Sequence, residues 1–405
     1  MRAAIAVLTL PLAAATFHKD VLPILQKRCQ ACHRPGEMAP MPLATYRDAR
    51  PWAKAIREAV LTHKMPPWFA ESGSLRFEND PRLSREEIAA IDEWARAGAP
   101  EGDPREAPPP APWTPGWNIP ATDLTVVMPE AVRVPAGGRP DYQLVILPLG
   151  LAEDRWVEAA EIRPGQRPVI HHVVAYIREP ASGWLRDAPL RKPFARPGVT
   201  TSDILAIYAP GQPVMRTPPR MAKMIPAGAD LVLQIHYTPN GRAVEDRTSL
   251  GIVWARQSPE KRVLTLQLAT TDIRIPPGAR NHAVAVSGTM PNDCLLLSLF
   301  PHMHLRGSAF EYAITGAGGR VETLLRVAPY DFYWQLSYRL AEPRLLPKGT
   351  RLRATAWYDN SSNNPRNPDP SAEVTYGEQS DEEMMTGFFD VAVPAAVDKK
   401  KFFER

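Results

Sequence analysis

The chain has 405 residues, 44% of them hydrophobic, and its 48 basic against 44 acidic side chains leave a net charge of +4. That length exceeds one ordinary domain, and the apolar share supports real cores rather than disorder. So small a net charge implies no nucleic-acid or membrane-surface partner.

In chain order, Met1-Arg2, an apolar run from Ala3 to Leu12 and Ala13-Ala14-Ala15 read as a signal peptide over residues 1–15. The alternative is a buried first helix, but the run lacks polar spacing. It is too short to span a bilayer, and no other segment reads as transmembrane. The expectation is a periplasmic or secreted product with no membrane span.

Cys29-Gln30-Ala31-Cys32-His33 is a C-x-x-C-H sequence, the attachment signature of c-type haem. Both thiols would add to the haem vinyls and His33 would be the proximal iron ligand. A thioredoxin-like pair would need a βαβ pattern, and a zinc site of this kind would need a second C-x-x-C; neither is present. A methionine commonly completes such a site. Met38 and Met41 lie too close to His33 to wrap the haem edge easily. Met65 follows a helix-like stretch, Asp48 to His63, and opens Met65-Pro66-Pro67-Trp68, whose prolines stiffen the loop. Met65 is therefore the expected distal ligand, with His63 as runner-up and core packing as the bland alternative.

Ser84-Arg85-Glu86-Glu87 is a capping box. It opens a helix with Ile88, Ile91, Trp94 and Ala95 on one side, and Gly98 stops it. Residues 16–100 resemble the cytochrome c family, which implies a small all-α domain around one covalently bound haem c. Residues 101–118 are rich in proline and read as a semi-stiff linker.

Beyond the linker the pattern changes. Runs 124–128, 142–147, 169–174, 231–237 and 264–268 read as strands, and a further set follows to residue 393. Short strands with Pro/Gly turns (45 prolines and 24 glycines in the chain) argue for antiparallel sandwiches. Two such domains are expected, 119–262 and 263–395, followed by a charged, solvated tail, 396–405. Of three cysteines, Cys294 alone lies outside the C-x-x-C-H motif. Its apolar strand suggests a buried, inert thiol.

Five of the nine histidines lie in or beside these strands: His171, His172, His236, His302 and His304. In Phe300-Pro301-His302-Met303-His304 the i, i+2 spacing on a strand would put two imidazoles on one face. That suits one metal ion; two polar histidines on a sheet face is the alternative. Imidazole suits copper, zinc, iron and nickel, whereas a thioether ligand favours copper. Met384, in Glu382-Glu383-Met384-Met385, is a candidate thioether, although most methionines simply pack in cores. Adjacent strand residues point to opposite faces. His171 and His172 can therefore share an ion only at a bulge or strand end.

His171-His172, Gln234-Ile235-His236-Tyr237, His302-Met303-His304 and Glu382-Glu383-Met384 occur in the order, and at spacings similar to those, of the copper type II monooxygenases. These are the peptidylglycine α-hydroxylating and dopamine β-monooxygenase family, and the resemblance covers roughly residues 120–393. It implies two copper ions: one on His171, His172 and His236 that relays electrons, and one on His302, His304 and Met384 where O2 and a small-molecule substrate react. Met385 falls where eukaryotic members have cysteine. The chain departs from the family in its lack of paired cysteines in the sandwiches and in having phenylalanines at 300 and 388. Peptide-amidating members place an arginine and a tyrosine there to hold a peptide carboxylate, so a more apolar substrate is expected. Its own haem domain would receive electrons from an external donor. The expected function is a haem- and copper-dependent monooxygenase. The rivals are a non-catalytic haem/copper electron-transfer or copper-binding protein, and a sandwich binding module with relic histidines.

Overall fold

The structure is a computed structural model that describes residues 15–404 except 38, 72, 74, 114, 115, 197, 199, 201 and 317. The expected signal peptide falls outside the described residues but for Ala15, and Met38 lies outside them as well. Two compact units are present. One comprises residues 1–68 and 81–112, the other residues 69–80 and 113–405.

The first unit is helical, with short elements. A π-helical turn, Phe17–Val21, runs into the helix Leu22–Arg28, which delivers the chain to Cys29. The stretch expected as one helix over 48–63 is built in pieces: Tyr46–Ala49, a 3-10 turn Arg50–Trp52 and Ala53–Leu61. Pro51 explains the break, since it cannot donate into the helical ladder. The helix Arg85–Arg96 begins at the expected capping box. Ser84 accepts from the Glu87 N–H while the Glu87 carboxylate accepts from Ser84 N–H at 2.8 Å. Gly98, at φ +88°, ends it in the left-handed region that glycine enters without a steric cost. Phe17, Leu25, Ile91 and Trp94 are the fully buried centre of this unit. The expected linker joins it as far as Pro112, and Gln26 donates to the Pro109 carbonyl at 3.1 Å.

The second unit is almost entirely β-sheet. A nine-stranded sheet runs in the order Leu124–Val127, Ser249–Trp254, Arg155–Arg163, Met221–Ile225, Lys261–Thr270, Met385–Pro394, Cys294–His302, Tyr338–Leu346, with Met215–Arg216 paired on Arg155–Arg163. A five-stranded sheet carries Phe194–Ala195, Gln143–Pro148, Asp230–Tyr237, Ile170–Arg178 and Asp203–Tyr208. Its Val145, Val173 and Leu231 share a buried cluster with Val157, Leu250 and Ile252 of the large sheet. A four-stranded sheet, His282–Thr289, Arg351–Tyr358, Gly307–Thr315 and Val321–Val327, lies toward the other half. There Tyr312 reaches the large sheet and donates to the Phe388 carbonyl at 2.9 Å. A side chain at Gly387 would meet the Tyr312 ring at 2.9 Å, so glycine permits that approach.

The sandwich architecture is thus present, with one large sheet common to both halves. Its continuity depends on a parallel pairing of Lys261 with Met221 and Arg262 with Ala222. The expected boundary at 262/263 falls inside the Lys261–Thr270 strand. Segment 69–80, expected within the helical domain, lies in the β unit. It bridges Ala70 to Val327 and Phe77 to Leu340, and the Asn79 amide donates to the Ser337 carbonyl at 2.7 Å. The charged side chains of the tail, Lys400, Lys401 and Glu404, are exposed, but one aromatic residue is anchored. Asp398 caps a short helix, Lys399–Phe403, and Phe402 is fully buried while its carbonyl accepts from Asn292. One aromatic ring outweighs the neighbouring charges because the lysine stems can extend past it into water. Cys294 is buried as expected, and burial pushes its thiol up to about 12.

Candidate metal centre

His171 and His172 open the strand Ile170–Arg178. Opposite them His236 pairs with His172, and the next residue, Tyr237, pairs with Ile170. His171 is the extra residue of a bulge. A bulge turns two successive side chains toward one side, the condition the HH pair requires. The His171–His172, His171–His236 and His172–His236 ring centroids are 5.2, 5.2 and 5.1 Å apart. The ligand-capable nitrogens of the three lie within 4.8 Å of one another.

All three rings are buried. Tyr142 stacks on His236 at 4.4 Å and Phe332 on His171 at 4.0 Å, which fixes the ring planes. Burial, helped by the other imidazoles, holds all three far below the usual histidine range, His171 to about 3. Neutral imidazole is the form that ligates metals.

His302 ends the strand Cys294–His302, paired with Thr386. Met303, between the two histidines, is fully buried. Tyr330 Oη accepts its N–H at 3.0 Å and donates to its carbonyl at 2.9 Å. The His302 and His304 rings lie 5.3 Å apart. His302 is also 5.6 Å from His172, so the two sets are contiguous. His302 Nδ1 meets Gln335 Oε1 at 2.6 Å, and His304 Nδ1 lies 3.3 Å from the Glu382 carbonyl. Buried His236 Nδ1 and His304 Nε2 have no hydrogen-bond partner among the described residues. Each such orphan costs about 1–3 kcal/mol, a cost a bound ion would remove.

Met384 precedes the strand Met385–Pro394. Its carbonyl accepts from Tyr358 Oη at 2.8 Å, and its side chain is half-buried. Met385 is buried. Within the strand, Met385 pairs with Thr270 and Thr386 with His302, so the two point to opposite faces.

Three contributors went unassigned at the sequence level. Glu383 is fully buried and clamps the second histidine pair. Its Oε2 accepts the His304 N–H at 2.9 Å and its Oε1 the Arg306 N–H at 2.7 Å. Burial pushes its carboxyl up to about 8 even with those bonds. Asn360, in a turn given no chemistry from sequence, accepts from buried Arg306 Nε at 2.8 Å and stiffens the same corner. Gln335 had no sequence signal at all; it is a loop residue whose burial depends on the fold. The Glu382-Glu383-Met384 run did hold a signal, an acidic residue directly before a candidate ligand.

On the same face of the large sheet, two residues from His302, Phe300 pairs with Phe388, and their rings stack at 5.5 Å. One step further Ser298 pairs with Asp390, with Thr265 on the third strand. A cavity of about 80 Å³ lies over this face, lined by Phe300, Phe388, Ile207, Val214, Lys223 and Asp390 among others. Buried Lys223 donates to the Ile204 carbonyl and to Thr265 Oγ1, and lies 3.6 Å from Asp390.

In the helical unit, Cys29, Cys32 and His33 share one turn after Leu22–Arg28. The Cys32 and His33 N–H groups donate to the Cys29 carbonyl at 3.1 and 2.9 Å. The thiols are not joined in a disulfide, and burial pushes Cys29 up to about 12. His33 Nδ1 lies 3.1 Å from the Met41 carbonyl, and burial lowers the ring's affinity for protons. With Nδ1 engaged, Nε2 is the nitrogen available to an axial metal. Met65 sits on a separate turn after Ala53–Leu61, half-buried, and begins a cis bond to Pro66.

No protein-family model and no curated protein matches the chain. Among solved structures, the STIV MCP is similar at 11% identity and TM-score 0.26, over 68% of this chain and 93% of that one. An infectious bursal disease virus VP2 subviral particle is similar at 7% identity and TM-score 0.21, over 70% and 74%. Likeness at that level carries no argument about this chain.

Proposed function

We propose that the protein is an exported copper-dependent monooxygenase with a covalently haem-bearing, cytochrome c-like N-terminal unit. The observation that carries the reading is the convergence of five buried imidazoles, two with orphaned nitrogens. The donor chemistry fits copper: His171, His172 and His236 would hold one ion, and His302, His304 and Met384 the other. Cys29, Cys32 and His33 would hold haem c, with Met65 as distal ligand.

Copper bound there would supply one-electron redox chemistry and activation of O2. In the net reaction one oxygen atom enters a substrate C–H bond and the other leaves as water, with two electrons and two protons supplied through an external donor. The chain's own groups do the positioning. Burial keeps the imidazoles neutral, and Tyr142 and Phe332 fix ring planes. Glu383 and Tyr330 fix the backbone of the second pair. Phe300 and Phe388 offer an aromatic wall beside His302, which supports an apolar substrate over a peptide carboxylate.

The test is copper and haem content of periplasmically expressed protein, followed by oxygen consumption with an apolar substrate panel. About two coppers and one haem per chain are expected, with one copper lost in His302→Ala and in Met384→Ala. Haem without stoichiometric copper after loading sinks the reading. Full metallation without oxygen uptake for any donor or substrate would leave a haem/copper electron-transfer protein.

A further inference from the structure

We infer that the cavity beside Phe300 and Phe388 takes a small monocarboxylate with a slim apolar body, its acid group held by Arg339 and Gln212. Within the monooxygenase reading this ligand is the substrate, and to that extent the inference rests on that reading; the pocket itself needs no metal.

The cavity lies within the β unit and is laid out by strand register. Ser298, Phe300 and His302 alternate onto one face of their strand. Phe388 pairs with Phe300 and Asp390 with Ser298 on one neighbouring strand, and Arg339 pairs with Ser298 on the other. At about 3.3 Å per residue, the Ser298 step stands roughly 13 Å along the strand from the His302 step, with the stacked phenylalanines between. The face is therefore graded, with a histidine at one end, an aromatic wall in the middle and polar groups at the other end.

The polar end holds two kinds of group. One kind is satisfied internally. Buried Lys223 donates to the Ile204 carbonyl at 2.6 Å and to Thr265 Oγ1 at 2.5 Å, while Asp390 accepts from Thr265 Oγ1 at 2.6 Å and from Ser298 Oγ at 2.9 Å. The other kind keeps spare donors. Gln212 uses its Oε1 to accept the Ser337 N–H at 3.2 Å, and its buried Nε2 has no partner among the described residues. Arg339 donates from Nη1 to the Val214 carbonyl at 3.3 Å. Its buried Nε makes no hydrogen bond among the described residues, although Glu78 Oε1 stands 2.8 Å away. Buried donors left without acceptors select a ligand that brings oxygen lone pairs.

Charge narrows the class. The lining carries Lys223, Arg216 and Arg339 against Asp390, and Glu78 beside Arg339 supplies a second carboxylate, so three cations face two anions. That excess favours a carboxylate over a neutral carbonyl and disfavours an amine. Volume limits the rest of the molecule. The cavity of about 80 Å³ is smaller than the roughly 150 Å³ of an apolar cavity that takes up benzene, so the body is a short chain and not a fused ring.

The experiment titrates butyrate, pentanoate and hexanoate by calorimetry into full-length, haem-loaded protein freed of copper with a chelator. Removing copper keeps the acids from ligating a metal directly. One saturable site is expected, with affinity rising about fourfold per methylene as the chain extends along the phenylalanines. Hexanamide and hexylamine should bind about tenfold or more weakly than hexanoate. Arg339→Gln should weaken hexanoate about tenfold or more, and Val214→Phe, which fills the cavity and leaves every polar group in place, should abolish binding. Absence of binding, no dependence on chain length, equal binding of hexanamide, or unchanged hexanoate binding in Arg339→Gln each overturn the inference. If Arg339→Gln does not fold, as judged by thermal melts, wild-type affinity in both Val214→Phe and Gln212→Ala overturns it instead. Carboxylate binding in protein that never takes up stoichiometric copper leaves the pocket standing and removes the monooxygenase reading. Stoichiometric copper without carboxylate binding does the reverse.

Discussion

The two histidine sets are held by different means. His172 and His236 face each other across an antiparallel ladder, and His171 joins them through a bulge in that ladder. Strand pairing itself sets their spacing. His304 lies past the last ladder pair of its strand; a buried carboxylate holds its N–H, and a tyrosine hydroxyl holds the N–H and carbonyl of the preceding Met303. The first set should therefore resist single substitutions around it, whereas the second depends on a few polar groups. Hydrogen-bonded ladders share load over many residues; a clamp concentrates it in one.

The broadest way to break both sets together is acid on the metal-free protein. His171 titrates near 6.5 when unfolded and at about 3 when folded, so between those values the unfolded chain binds more protons. Stability is then fully present above pH 6.5 and falls on acidification, at up to about 1.4 kcal/mol per pH unit for that histidine alone. Thermal melts of the apoprotein from pH 7 to pH 4 should display this fall, and bound copper should shift it to lower pH. Melts that do not change over the window would contradict the buried neutral cluster.

Glu383→Ala should separate the two sets most sharply. It strips the His304 and Arg306 N–H groups of their acceptor, a loss of about 1–3 kcal/mol for each buried group left unsatisfied. Denaturant melts should register it, and chemical analysis should find the second copper lost with the first retained. Equal loss of both coppers would make the clamp a property of the whole unit.

Tyr330→Phe is a milder cut at the same corner. It removes the hydroxyl that both accepts from and donates to Met303, at about 1–3 kcal/mol. Copper binding at the second site should weaken with content at saturation unchanged, as read by a competitive chelator titration. The smallest effect is expected on the first set. Tyr142→Leu removes the ring stacked on His236 and should cost about 0.5–1.5 kcal/mol beyond lost area. The ladder should keep the copper bound, with a broadened Cu(II) spectrum as the readout.

What could be read without coordinates was local. The C-x-x-C-H turn, the Ser84 capping box, the glycine stop at 98 and the apolar runs that became strands all depend on residues within a few positions of one another. The HxH spacing and the HH pair were legible for the same reason, and so was the demand for a bulge at His171, because alternation along a strand is a local rule. The three-residue interruption at Pro51 follows from an equally local rule, the missing proline N–H.

Tertiary structure alone decided the rest. Glu383 meets its partners 79 and 77 residues away, and Gln335 reaches His302 over 33 residues and His171 over 164. No periodicity encodes such pairings, since they exist only after the large sheet joins the two sandwiches through Lys261 and Met221. The burial of Phe402 and the recruitment of 69–80 into the β unit are of the same kind: each segment is polar or irregular by composition, and a distant apolar or edge surface determines its place. Sequence by itself determined which side chains could ligate and on what local scaffold. The fold decided how near the two sets stand, because distance between strands is a property of sheet packing, not of spacing along the chain.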